Sequence, residues 1–449
     1  MSKSPSASLI DKIQKKEARI GIVGLGYVGL PLAVEFAQAG YHVVGIDTDP
    51  IKVDSLNRGE CYIADIPNMI LSDMVSNSQL IATQDYRAIG ELDAISICVP
   101  TPLRKTRDPD MSYVVAAAEQ IGEHLCPSTL IILESTTYPG TTSEVVLPIM
   151  LRNGYVVGED IFLAYSPERI DPANSTYGVR NTPKVIGGVT SLCADVAMAL
   201  YNTVVDQVVQ VSSTQAAEMV KLLENTFRAV NIGLINEITI MCDKLGIDVW
   251  EVIAAAKTKP FGYMPFYPGP GLGGHCIPID PLYLSWKLKS LNFNARFIEL
   301  ADEINTNMPR YVVRKVAEAL NGDSKPVRGS QVLILGVAYK ADVDDCRESP
   351  SFNLMDKLHN LGSQISYYDP HLPEVPQTRE YSHWAGFKSV DWDKEIFRKC
   401  DLAVVMTAHK EVNYEQLSEW LPLILDTRNA MNNINNSLFD AVFCHKKDM

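Results

Sequence analysis

The chain has no run of eighteen apolar residues, and its first twenty, MSKSPSASLIDKIQKKEARI, lack the apolar stretch of a secretory leader. Neither a membrane span nor export is expected. It also has no Cys-x-x-Cys pair. The nine cysteines, Cys61, Cys98, Cys126, Cys193, Cys242, Cys276, Cys346, Cys400 and Cys444, are scattered, which fits neither a disulfide framework nor a zinc site and suits reduced thiols in a cytoplasm. No metal is expected. Positive charge is short, with 40 Lys and Arg against 54 Asp and Glu, and the net charge of −14 argues against nucleic acid or an anionic membrane as partner. At 449 residues with ordinary apolar content, the chain is long enough for two or three globular domains.

The segments RIGIVGLG, HVVGID, DAISICVP, TLIILEST, IFLAYSPE and KVIGG read as strands alternating with helical patterns, the signature of a parallel, doubly wound sheet. Ser212 to Leu245 reads as one long helix, opened by SSTQAAE and stopped at Gly246. Its length suits a dimer or interdomain role. KPFGYMPFYPGPGLGGHCIPIDP is too rich in Gly and Pro for regular structure, and helical periodicity resumes from Leu282 to Leu320. QVLILGVAYK, QISYYDP, DLAVVMT and LILDTR then read as a second set of strands. The expected fold class is α/β, with two Rossmann-like doubly wound parallel-sheet domains joined by a central helical domain containing one long helix. The expected divisions are an N-terminal segment 1–18, a first Rossmann domain 19–211, a central helical domain 212–320, a linker 321–330 and a C-terminal α/β domain 331–449.

Gly24, Gly26 and Gly29 stand as Gly-x-Gly-x-x-Gly, together with Leu25, Tyr27 and Val28, between an apolar strand and a helical pattern. In that setting the first glycine allows the tight turn, the second lets main chain approach a pyrophosphate, and the third lets helix and strand pack closely. A second strand ends in Asp47, about twenty residues on, where a carboxylate can bind ribose hydroxyls. Asp47 and Asp49 would repel a 2′-phosphate, so NAD is expected rather than NADP. Without a ligand the same pattern would be a plain strand-helix turn, and flavin fits the turn alone.

Gly271-Leu272-Gly273-Gly274-His275-Cys276, followed by Asp280, places a thiol where glycines let backbone crowd a ligand. A thiolate there can hold an acyl intermediate as a thioester. The bland alternative, a small buried residue, is the expectation for the other eight cysteines. His275 is expected to be structural. Lys221 and Asn225, four apart on the long helix, share a face and could stabilise an alkoxide together. Taken alone, such a pair is more often solvated surface.

In these motifs the chain resembles the UDP-glucose/GDP-mannose dehydrogenase family, whose members oxidise nucleotide sugars at C6. The resemblance runs through GLGYVG, VPTP (Val99 to Pro102), ESTTYPGTT (Glu134 to Thr142), YSPER (Tyr165 to Arg169), KLLENTFRAVNIGLINE (Lys221 to Glu237), GPGLGGHCIPIDP (Gly269 to Pro281) and KADVDDCRESP (Lys340 to Pro350). It implies that Cys276 is the nucleophile, that Lys221 and Asn225 stabilise oxyanions, that Asp280 and Thr136 order water and proton transfer, and that Glu168 helps hydrolyse the thioester. By the same resemblance Gly26, Tyr27, Val28, Asp47, Lys52, Thr101, Thr136 and Arg347 contact NAD. Glu168, Arg169, Lys221, Asn225, Tyr267, Gly273, Lys340 and Arg428 contact the substrate. The C-terminal domain would bind UDP, and the protein would be a homodimer or larger homo-oligomer. A family arginine lent across the dimer has no counterpart, although Lys257 and Lys259 are near its place.

The wording of the cysteine loop is most similar to bacterial UDP-N-acetylglucosamine 6-dehydrogenases that serve O-antigen or capsule synthesis. His275 and Ile279 replace residues typical of UDP-glucose enzymes. UDP-N-acetylglucosamine is therefore the expected substrate, with UDP-N-acetylgalactosamine, UDP-N-acetylmannosamine and UDP-glucose as alternatives. From other classes, a two-electron hydroxyacid dehydrogenase and a non-enzymatic NAD-binding protein are the rival readings. The first predicts one NADH per substrate and the second none.

Overall fold

The structure, a computed structural model, describes residues 4–63, 66–104, 106–170, 176–432 and 434, and the backbone of 439–441. Cys444 lies outside them. The chain divides into two compact units, Met1–Glu224 with Trp286–Phe293, and Asn225–Ser285 with Asn294–Met449.

The first unit opens with helix α1 (Pro5–Gln14), started by Pro5 and by the Ser4 hydroxyl, which accepts the Ala7 N–H at 3.3 Å. Then come β1 (Arg19–Val23), α2 (Gly29–Gln38), β2 (His42–Ile46), β3 (Leu80–Thr83), β4 (Ala94–Ile97), β5 (Thr129–Leu133), β6 (Ile161–Tyr165), β7 (Lys184–Gly188), α3 (Ser191–Tyr201) and β8 (Val208–Val211). They form one sheet ordered β3-β2-β1-β4-β5-β6-β7-β8. Because side chains alternate across a strand, Leu130 and Ile132 of β5 enter one core while Ile131 and Leu133 enter another on the opposite face. Covering both faces is what makes these strands read as unbroken apolar runs.

Helix α4 (Thr214–Leu245), capped where the Ser213 hydroxyl accepts the Ala216 N–H, passes from the first unit into the second. The second unit continues with α5 (Asp280–Lys289), α6 (Arg296–Gly322), β9 (Gln331–Leu335), α7 (Pro350–Asn360), β10 (Gln364–Tyr368), β11 (Leu402–Val405), β12 (Ile424–Asp426) and β13 (Phe439–Ala441). Its sheet, β10-β9-β11-β12-β13, is parallel throughout. Val332 and Ile334 fill one core and Leu333 and Leu335 the other.

The sheets and the long helix follow the sequence expectation, with local differences. β7 runs antiparallel to β6, with Tyr165 opposite Gly187, so the large sheet is mixed rather than wholly parallel. Strands β3, β8 and β13 and helix α1 were not anticipated. The long helix starts at Thr214 rather than Ser212, and α6 runs through Gly322, two residues into the expected linker. Cys98, Cys193, Cys242, Cys346 and Cys400 are buried as expected, but Cys126 is exposed and Cys61 half-buried. Cys126 closes a surface turn, its thiol facing the Gly90 carbonyl at 3.4 Å. No described helix is long and apolar enough to cross a membrane.

Candidate active site

In the first unit every strand from β1 to β6 delivers a loop at its carboxyl end, where doubly wound sheets hold ligands. Gly24, just after β1, has φ +94°, and a Cβ there would press on the Cys98 carbonyl oxygen at 2.7 Å. A Cβ on Gly29 would fall 1.8 Å from the Gly24 carbonyl oxygen. Gly26 differs, since a Cβ there would meet nothing within 4 Å. The space beside Gly26 is open, and that is the cradle a pyrophosphate needs. Asp47, after β2, accepts the Leu25 N–H at 2.7 Å and the Asp49 N–H at 2.9 Å, and Lys52 lies 3.5 Å from it. Asp47 thus braces the glycine turn from the position expected to meet ribose. Tyr62, unmarked in the sequence, donates its hydroxyl to the Leu25 carbonyl at 2.7 Å. These residues fit a dinucleotide. Tyr27 is exposed, Val28 half-buried and Thr101 buried.

The same sheet edge carries Glu134 after β5, then half-buried Thr136, and buried Glu168 after β6. Lys184 Nζ donates to Glu134 at 2.5 Å and to Glu168 at 3.2 Å, and the Tyr201 hydroxyl donates to Glu134. Burial pushes the Glu168 carboxyl up, but Lys184, the Ile170 N–H and Lys221 outweigh it and hold Glu168 below its ordinary value. Lys221 is therefore in electrostatic reach of Glu168. Lys221 and Asn225 are 7% and 5% exposed, so the solvated-surface alternative does not hold for them. Arg169 is engaged with Glu224 at 2.6 Å and with the Pro183 carbonyl. Glu218, missed in the sequence, accepts the N–H groups of Gly140 and Thr142 and so fixes the loop that carries Thr136.

In the second unit the stretch from Lys259 to Ile279 has no regular element. Cys276 is exposed and sits one turn ahead of α5, its carbonyl accepting the Asp280 N–H at 2.8 Å. Asp280 is buried and accepts the Asn225 amide at 2.6 Å. The loop is pinned along its length. The Gly269 N–H donates to Asn236 at 3.0 Å, and Asn236 in turn donates to Asn305 at 2.8 Å. Gly274, at φ +83°, donates to the Arg347 carbonyl at 3.0 Å, and a Cβ there would strike the Tyr339 ring at 2.7 Å. Burial, with the Arg347 charge, pulls the His275 imidazole down to about 4, so it is neutral beside the thiol. Arg428 lies against Gly269, where a Cβ would come within 2.5 Å of its guanidinium, and burial lowers it to about 10. Arg347 grips Asp345 at 2.6 Å, and Tyr267 is exposed. Gly273 and Lys340 are half-buried. Neither asparagine of the Asn236–Asn305 pair stands out in the sequence, because a buried amide on a helix looks like a surface one until the helix is placed.

Asp342, His371 and His409 bring one donor atom each within 4.8 Å of one another. His409 Nδ1 accepts the Asp342 N–H at 3.0 Å and its Nε2 faces Asp369 at 3.2 Å. Both ring nitrogens are therefore already engaged, and the group braces the domain.

A dinucleotide turn on one parallel sheet, and a thiol presented by a glycine-rich loop ahead of a helix, are the equipment of a nicotinamide-dependent dehydrogenase. Comparison with known proteins narrows the class. The NAD-binding, central and UDP-binding domains of the UDP-glucose/GDP-mannose dehydrogenase family match residues 18–205, 215–307 and 333–433. The chain belongs to that family of NAD-dependent UDP-sugar dehydrogenases. It is 35% identical to a UDP-N-acetyl-D-mannosamine dehydrogenase of Methanococcus maripaludis, over 92% of this chain and 93% of the relative. It is 34% identical to the UDP-N-acetyl-D-glucosamine 6-dehydrogenase of Pseudomonas aeruginosa, over 82% and 86%. The solved UDP-D-ManNAc dehydrogenase of Pyrococcus horikoshii superposes with a TM-score of 0.85 at 32% identity, over 95% of this chain and 99% of that one.

Proposed function

We propose that this protein oxidises the C6 hydroxymethyl group of a UDP-N-acetylhexosamine to a carboxylate, in two hydride transfers, through a thioester on Cys276. The observation that carries this reading is the exposed Cys276 thiol one turn ahead of α5, with Asp280 and Asn225 hydrogen-bonded beside its loop. The amino end of a helix favours thiolate, the form that attacks an aldehyde carbon. NAD, when bound, takes the hydride in each oxidation. Cys276 adds to the C6 aldehyde, and Lys221 with Asn225 donate to the oxyanion that results. Such donors are worth about 3 kcal/mol each by analogy with single oxyanion-hole deletions. Glu168, held as an anion, accepts the proton of the water that opens the thioester, and Asp280 with Thr136 orders that water. Arg428 and Lys340 address the UDP moiety.

UDP-N-acetyl-D-mannosamine dehydrogenase is the more frequent name among the relatives, with one UDP-N-acetyl-D-glucosamine 6-dehydrogenase and one NDP-N-acetyl-D-galactosaminuronic acid dehydrogenase beside it, so UDP-N-acetylmannosamine, UDP-N-acetylglucosamine and UDP-N-acetylgalactosamine make up the test panel. The product would enter surface polysaccharide synthesis. Reduced buried cysteines favour a cytoplasmic setting. The exposed apolar face of α4 supports a homodimer. With excess NAD and limiting sugar, two NADH per substrate are expected. One NADH would sink the four-electron scheme, and near-normal acid production by Cys276→Ser would sink the covalent one.

A further inference from the structure

The large sheet has one antiparallel neighbour pair, and it puts a charge in an unusual place. β7, like its parallel neighbour β8, begins at the edge where β1 to β6 end, so its first residue, Lys184, lies at the carboxyl edge of those six strands. Ala164 faces Gly188 and Tyr165 faces Gly187, and carried past the strand end that register brings Lys184 level with Glu168. The Lys184 side chain is 6% exposed, and Nζ bridges Glu134 at 2.5 Å and Glu168 at 3.2 Å. Taking an ammonium out of water is unfavourable unless carboxylates meet it, and this one is retained in a strand whose five residues are all buried.

We propose that Lys184 is a positioning residue for Glu168: it holds that carboxylate as an anion and fixes it beside the Glu134–Thr136 segment, so that Glu168 receives a proton rather than gives one. The inference rests on the reading of Glu168 as the carboxylate that assists thioester hydrolysis. In that step water adds to the carbonyl as its proton passes to Glu168. The carbon–sulfur bond breaks, Cys276 leaves as thiolate, and Glu168 returns the proton to solvent. No electrons move between groups. The charged and titratable groups facing Glu168 are Lys184 from β7, Lys221 from α4 and the Cys98 thiol after β4, with Glu134 and its partner Tyr201 across Lys184. Removing Lys184 leaves Glu168 with the attraction of Lys221 and the Ile170 N–H against the full effect of burial.

The test uses the full-length protein with NAD and a UDP-N-acetylhexosamine. Lys184→Met is expected to keep the NADH burst, to slow steady turnover about 10²-fold, the scale of a lost general base, and to move the acid limb of the pH–rate profile up by more than one unit. Lys184→Arg, which can span both carboxylates, is expected to restore both. A Lys184→Met profile that superimposes on the wild type after scaling, or a burst that falls as steeply as turnover, overturns the proposal. If Lys184→Met does not fold, Glu134→Gln leaves Lys184 to Glu168 alone and is expected to move the acid limb down, so a shift upward overturns it. If no UDP-sugar is turned over, the functional reading fails by itself. Infrared spectra then decide the inference. A protonated-carboxyl band at pH 5 in Lys184→Met, missing from Lys184→Met/Glu168→Gln, supports it, and no such band in Lys184→Met overturns it.

Discussion

Gly26 and Gly29 share one turn but are glycines for different reasons. A side chain on Gly29 collides with the Gly24 carbonyl oxygen, whereas one on Gly26 meets no protein atom, and the Gly26 φ lies outside the left-handed region. Gly29→Ala should therefore lose about 1–3 kcal/mol through overpacking and melt several degrees lower, with or without cofactor. Gly26→Ala should melt within about a degree of the wild type yet bind NAD at least tenfold more weakly, because its methyl occupies space only a pyrophosphate needs. Paired melting curves and NAD titrations separate the two, and equal melting losses would refute the distinction. The spacing of those glycines was readable in the sequence. Their separate duties were not, since a spacing does not say which neighbour a Cβ would meet. Lys184 was harder still. It opens an apolar strand, and only the strand's direction tells that its ammonium ends between two carboxylates.

Strand direction and helix partners are settled by tertiary contacts, and most of what sequence periodicity missed belongs here. β7 reads as one more buried strand because it is covered on both faces like its parallel neighbours, all five of its residues being buried. β8 is half-exposed and at the sheet edge, so its apolar signal is weak. Helix α1 buries Leu9 and Ile13 in an otherwise polar segment, and its Ser4-Pro5 start was the available signal. The long helix was plain, and its surface adds a prediction. Phe227, Leu234 and Met241 recur every seven residues on α4, flanked by Leu223 and Leu245, and all five are exposed, Leu245 at 70%. A heptad row of apolar groups is the seam of a helix pair. Leu234→Glu with Met241→Glu should halve the mass seen by light scattering, with the helix itself intact by circular dichroism. An unchanged mass would refute α4 as the subunit seam.

On the scale of the whole chain, the two sheets repeat one device and then diverge. Gly24 at φ +94° and Gly336 at φ +82° each follow the first strand of their sheet, and Asp47 and Asp369 each follow the second. Asp47 accepts one N–H of its turn, from Leu25, and Asp369 accepts two, from Val337 and Ala338, at 2.8 and 3.0 Å. Asp369 also accepts the His371 and Leu372 N–H groups and faces His409, so its oxygens are saturated by protein. α2 starts at Gly29 inside the first turn, whereas α7 starts only at Pro350, well past Gly336, so the second turn lacks the helix amino end that holds a pyrophosphate. Ala338 and Ala341 stand where the second and third glycines would be, a divergence legible in the sequence, but the saturation of Asp369 needed the folded chain. NAD should therefore act on the first turn and UDP on the second. At a hundred times its dissociation constant, each ligand should stabilise its own turn by about 2.7 kcal/mol, slowing amide exchange about a hundredfold where exchange proceeds by opening of the bound state. Hydrogen-exchange mass spectrometry should show NAD protecting residues 20–35 and 42–58, and UDP protecting 336–350 and 424–431. If NAD alone protected 336–350 more than 20–35, the division of labour between the turns would be wrong, because a saturated carboxylate and a distant helix start leave the second turn nothing with which to hold a dinucleotide.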